Sequence, residues 1–194
     1  MSAVLDRVVT KKRLVRADEM LLMPTDGFRY DLIRGELRKM PGPGAKHGIV
    51  TMRFGGALFG YVEEHDLGEV FAAETGFKLE SDPDTVLGAD VAFVSHERIP
   101  PGEFSEKYWL VAPDLTLEVV SPGNTRREIQ DKIDLYLAKG VRAVLIVYPK
   151  QRALVVHRAG AEAVTLNEND TLELPDIVPG FSYRVGRMFA RHRQ

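Results

Sequence analysis

The chain has no cysteine among its 194 residues. Disulfides and thiolate metal sites are therefore excluded. Any metal must be held by Asp, Glu, His or carbonyl oxygens, a donor set suited to hard ions such as magnesium or manganese. No apolar run approaches the roughly 20 residues needed to span a bilayer. Near the start, the basic residues follow a short apolar stretch, which is the wrong order for a secretory signal. A cytoplasmic protein with no membrane partner is the expectation. A basic excess is missing too: the formal net charge is -2 and the isoelectric point about 6.2. That argues against coating nucleic acid by bulk charge, and leaves room for a DNA enzyme with a local basic rim. Lys11, Lys12, Arg13, Arg126, Arg127, Arg187, Arg191 and Arg193 are candidates for such a rim, or else plain solvated surface.

Internal repeats, low-complexity segments and Ser/Gly-rich linkers are also absent, so residues 1–194 read as one domain. Composition is that of a globular protein, 44% apolar and 28% charged. A short helix is predicted over 17–22, stopping at Pro24. Strands are predicted over 30–34 and 36–40, joined at Gly35 as a tight hairpin. From 45 to 64 the recurrence of Ile49, Met52, Phe54, Leu58, Phe59 and Val62 predicts a long helix. Short strands follow over 69–73 and 76–80, then a polar loop over 81–88 and a strand over 90–94. A central strand over 115–120, a helix over 125–138 closed by Gly140, and an apolar strand over 141–147 imply a parallel pair with a helical crossover. Residues 153–183 alternate like antiparallel edge strands. The expected class is α/β, with a mixed central sheet flanked by helices.

What the chain does have is charge where an apolar core is expected. Glu118 interrupts the strand Leu115-Thr116-Leu117-Glu118-Val119-Val120. A carboxylate there must pair with a cation, cap a helix or hold a metal. Lys132 lies on the helical face shared by Ile129, Ile133 and Tyr136, either reaching out to solvent or entering a site. The short turn Ser121-Pro122-Gly123-Asn124 can bring the two together. Asp90 opens the apolar run Val91-Ala92-Phe93-Val94 and supplies a second carboxylate. Asp114 is a rival for that role, but it lies about 13 Å from Glu118 along a regular strand and cannot share one ion with it. Glu36 reads as a further acidic ligand or a hairpin surface residue. His47 reads as a phosphate contact or proton shuttle, or as an exposed helix-start histidine.

These blocks, taken in order, resemble a known family. They are Tyr30-Asp31-Leu32-Ile33-Arg34-Gly35-Glu36-Leu37; His47; Ala89-Asp90-Val91-Ala92-Phe93-Val94; Ala112-Pro113-Asp114-Leu115; Glu118-Val119-Val120-Ser121-Pro122; Asp131-Lys132; Tyr136; and Gly140-Val141. Over about residues 15–160 the chain resembles the Uma-type restriction endonucleases of the PD-(D/E)xK nuclease superfamily. The resemblance implies a restriction endonuclease-like fold and metal-dependent hydrolysis of DNA. It implies magnesium (or manganese) between Asp90 and Glu118, with the Val119 carbonyl as a further ligand. Lys132 would serve as the catalytic cation, with Glu36 and His47 as accessory residues. Because many superfamily members are dimers, it also implies a homodimer. Two positions depart from the superfamily pattern. Ala89 replaces the proline before the aspartate. Val120 stands where the lysine is expected, and Lys132 matches a lysine moved to the following helix. The rival readings are an inactive relative serving as an interaction module, and an enzyme acting on another phosphate ester.

Overall fold

A computed structural model describes residues 13–190 other than 25, 74 and 103. In chain order the elements are α1 (Ala17–Leu21), β1 (Phe28–Ile33), β2 (Glu36–Pro41), α2 (Ala45–His65), β3 (Gly68–Ala72), β4 (Gly76–Glu80), β5 (Thr85–Gly88), β6 (Val91–Ser95), β7 (Leu115–Val119), α3 (Arg126–Ala138), β8 (Ala143–Tyr148), β9 (Ala153–His157), β10 (Val164–Asn167), β11 (Thr171–Glu173) and β12 (Ser182–Arg184). Six strands form the main sheet in the order β10-β9-β8-β7-β6-β3, and four form a second sheet in the order β2-β1-β5-β4. In the main sheet only β7 and β8 run parallel, joined by α3 as the crossover; the other pairs are antiparallel. The mixed α/β architecture expected from the sequence is therefore present.

Period-two alternation sorts the side chains of β7. Leu115, Leu117 and Val119 enter the larger core with α2 and the C-terminal segment. The other face packs, through Ala92, Val94, Val144 and Ile146, against Ile133 and Tyr136 of α3. Glu118 lies on this second face, which is why an acid in a central strand meets a helix rather than solvent. The start of α3 is fixed by a reciprocal cap. The Thr125 hydroxyl accepts the Glu128 N–H at 3.2 Å, and the Glu128 carboxylate accepts the Thr125 N–H at 2.8 Å. Thr125→Ala should lower the free energy of unfolding by about 1 kcal/mol, read from urea titration.

One expectation needs correction. Part of the predicted 81–88 loop is strand: β5 pairs with β4 and meets β1 at Leu32↔Val86. Its polar flank, Ser81 to Thr85, hid a buried Val86-Leu87 pair. In α2 the buried stripe is Val50, Phe54, Leu58 and Val62, whereas Ile49, Met52 and Phe59 are exposed on the opposite side. The long helix is as expected; both sets recur at helical spacing, and only the first faces the core. The larger core cluster also takes in the C-terminal segment: Leu172, Ile177, Phe181, Tyr183, Met188 and Phe189 belong to it. The hairpin is as expected. Arg34 (φ 50°) and Gly35 (φ 77°) make a two-residue turn with both residues left-handed, the geometry that matches strand twist.

Candidate active site

The segment from Gly88 to Asp90 passes from the second sheet to the main one, and the site forms at that junction. Asp90, 2% exposed, sits just before β6. Its Oδ2 accepts the backbone N–H of Val119 at 2.8 Å and lies 2.9 Å from His47 Nε2; its Oδ1 accepts Arg29 Nη1 at 3.1 Å. Next door on β7, Glu118 Oε1 accepts Lys132 Nζ at 2.8 Å and the Tyr136 hydroxyl at 2.9 Å. Lys132 Nζ also donates to the Gly88 carbonyl at 3.1 Å and lies 3.2 Å from Asp31 Oδ2. Asp31 completes the ring by accepting the Gly88 N–H at 3.1 Å. Strand β1, the Gly88–Asp90 corner, β7 and α3 thus meet in one polar cluster at the sheet ends.

The electrostatics follow from this crowding. Burial pushes the Glu118 carboxyl up to about 7; Lys132 pulls it down, while Asp90 and Asp31 push it further up. Burial works against the Lys132 ammonium, but Asp31, Glu118 and Asp90 together hold it well above the ordinary lysine value. For Asp90, burial favours the neutral acid, yet the contacts with His47, Val119 and Arg29 keep it below the ordinary aspartate range. Burial, reinforced by Glu118 and Asp31, raises the Tyr136 phenol, so it remains a protonated donor at neutral pH. Three carboxylates share the space with two permanent cations, Arg29 and Lys132. With the Glu118 carboxyl raised to about 7, the cluster is close to charge balance near neutral pH.

Asp90, Glu118, Lys132 and His47, singled out from sequence, lie in this cluster. Val119 enters it through its N–H, while its side chain stays in the core. Glu36 is placed differently. It is exposed, in register with Ile33, about 7 Å further toward the hairpin turn than Asp31. The acid that the hairpin contributes to the cluster is Asp31, missed at the sequence level together with Arg29 and Tyr136. The signal was available for Asp31: like Glu118, it is a carboxylate set among apolar strand residues. Asp114 lies at the far end of β7, fully buried, where it accepts Ser95 N–H at 2.8 Å and pairs with Arg98 at 3.1 Å. Its role is structural. Of the suggested basic rim, Arg126 and Arg127 are exposed at the start of α3, and Arg187 covers the Tyr183 ring at 5.0 Å. Lys11, Lys12, Arg191 and Arg193 lie outside the described residues.

Among the described residues, no group of three or more His, Asp or Glu is arranged to hold a metal ion. Magnesium keeps several waters and takes only one or two carboxylates, so Asp90 and Glu118 are the residues that would hold one.

The mixed α/β fold thus carries a carboxylate–lysine cluster where its two sheets meet. The comparisons agree with it. The family model described as "Uma2: Putative restriction endonuclease" matches residues 17–186, and the chain belongs to that family. Among solved structures, it is similar to a "putative nuclease belonging to DUF820" from Anabaena variabilis ATCC 29413. The TM-score is 0.78 with 21% identity, over 90% of this chain and 97% of that one. No curated protein matches. No helix among the described residues is long and apolar enough to cross a membrane.

Proposed function

We propose that this cluster hydrolyses DNA phosphodiester bonds with the help of a magnesium or manganese ion held by Asp90 and Glu118. One observation carries the reading: Glu118, Asp90, Asp31 and Lys132 converge on the Gly88–Asp90 corner although they lie far apart in the chain. When bound, such an ion would acidify a coordinated water and offset charge on the phosphate.

The protein's own groups do the rest. Lys132 is held by Glu118, Asp31 and the Gly88 carbonyl, so its ammonium is oriented before substrate arrives. When substrate binds, it would exchange one of these three acceptors for a non-bridging phosphate oxygen and stabilise the charge that grows there during attack. Asp31 positions Lys132. Asp90 is fixed by the Val119 N–H, which keeps it beside Glu118. The Val119 carbonyl is a further oxygen donor within the proposal. His47 contacts Asp90 through Nε2 and lies 3.4 Å from the Thr51 hydroxyl through Nδ1, so its part in the proposal is to hold Asp90 in place. The exposed Arg126 and Arg127 suit backbone contacts to DNA, which position the duplex without reading its sequence.

The substrate class is tested by offering purified protein supercoiled DNA, single-stranded DNA, RNA and a small phosphodiester in turn, with magnesium or manganese. Cleavage of the DNA polymers is expected, with binding that weakens as salt rises through counterion release. Turnover of the small diester alone would sink the DNA assignment. Salt-insensitive binding without cleavage would favour an interaction module.

A further inference from the structure

Strand β2 is an edge of the second sheet, with a neighbour on one side only. In the β1–β2 ladder Arg38 stands opposite Asp31, so the two side chains share a face, about 5 Å apart at Cβ. Asp31 is buried and lies 3.2 Å from Lys132, whereas Arg38 is exposed. We propose that Arg38 forms a second phosphate subsite beside Lys132, gripping the phosphate next to the one that is cleaved. This subsite presupposes the phosphodiester hydrolysis proposed above, and it makes a chain of phosphates, not a lone diester, the preferred substrate.

Two elements fix its position. On the strand side, Asp31 links the base of Arg38 to Lys132. On the helix side, the Thr125 N–H and hydroxyl, and beyond them the Arg38 guanidinium, hold the Glu128 carboxyl below the ordinary glutamate range. That guanidinium therefore lies near the start of α3. Glu128 and Lys132 are four residues apart, on one face of the helix and about 6 Å along its axis. Arg38 thus stands about one helical turn from the Lys132 ammonium, a step that neighbouring phosphates of one strand can match.

The other cations of α3 do not fill this place. Arg126 and Arg127 are turned about 120° and 140° from Lys132 around the helix, and Arg127 lies 3.9 Å from Asp131. Lys132 itself faces two carboxylates and a carbonyl. Arg38 is free of such partners: among the described residues no carboxylate makes an ion pair with it. Glu128 Oε2 is already taken by the Thr125 N–H and hydroxyl. A guanidinium offers a planar fork of N–H donors that matches two phosphate oxygens at once. On an edge strand that fork is open to a polyanion lying along the sheet.

Fluorescence anisotropy with a labelled duplex and a chelator measures binding without cleavage; plasmid nicking with magnesium or manganese measures turnover. Arg38→Ala should weaken binding about tenfold and reduce the salt slope by about one. In nicking it should raise KM by about the same factor and leave kcat within about twofold. Arg38→Lys should keep the slope and recover part of the affinity, since it retains the charge but not the fork. Arg34→Asn removes an exposed charge at the turn of the same hairpin, where asparagine tolerates the left-handed backbone, and should leave both readouts unchanged. If wild type cleaves DNA but Arg38→Ala binds as tightly, or Arg34→Asn loses as much, or kcat falls with KM unchanged, the subsite is overturned and the hydrolysis stands. A wild type that neither binds nor cleaves DNA overturns both.

Discussion

Lys132→Met is expected to destabilise the protein by about 3–5 kcal/mol, the range for breaking a buried ion pair from one side. The ammonium lies 2.8 Å from Glu118 and 3.2 Å from Asp31. Methionine matches its length but leaves two buried carboxylates facing each other with no cation between them. The cost is therefore mostly that of the unpaired acids, not of lost packing. A second substitution checks this: adding Asp31→Asn or Glu118→Gln to Lys132→Met should recover part of the loss. Urea unfolding at neutral pH measures all of these variants. A Lys132→Met protein as stable as wild type would mean that the ammonium is well solvated, and that the cluster is looser than the structure describes.

Glu118→Gln should separate activity from stability. Glutamine keeps the shape and can still accept from Lys132 and Tyr136, but it lacks the charge to hold a divalent ion. Cleavage should fall by about 10³-fold or more, to the level of the buffer; loss of even a single hydrogen-bonding group in a preorganised site costs about 10²–10³-fold. Stability should behave differently. The Glu118 carboxyl is raised from 4.5 to about 7 in the metal-free fold. The folded state thus holds this proton more tightly than the unfolded chain. Its contribution to stability is fully present below about pH 4.5 and is lost as pH rises through about 7. Glu118→Gln should remove this part of the decline. Melting temperatures of metal-free wild type and variant, compared from pH 5 to pH 8, should diverge in favour of the variant as pH rises. Parallel curves would show that the Glu118 proton is not linked to folding.

Much of this site was legible from residue chemistry alone. Glu118 and Lys132 stood out because charge on a core-facing strand or helix is costly without a partner, and the structure makes them partners. Asp90 gained its place from a neighbouring apolar run. What sequence could not supply was the angle at which the hairpin meets the main sheet. That angle brings Asp31 and Arg29 to the cluster, while Glu36 stays near the turn. The helix α2 was legible from its spacing, but which of its faces meets the core was not. Helical spacing reveals that a residue recurs on a stripe but not which stripe meets the core, and α2 carries two apolar stripes. Strand β5 was lost because its flanking residues are polar and its buried stretch is only a few residues long. The parallel pair of β7 and β8 was readable because a strand, a helix and an apolar strand in succession leave few topologies open.

The most direct test of the central claim is the conversion of supercoiled plasmid to nicked circles by wild type and Glu118→Gln, purified side by side. Wild type should nick the plasmid with magnesium or manganese and not with a chelator, and the variant should nick it under neither condition. Equal nicking by the two proteins, or no nicking by folded wild type with either metal, would contradict it.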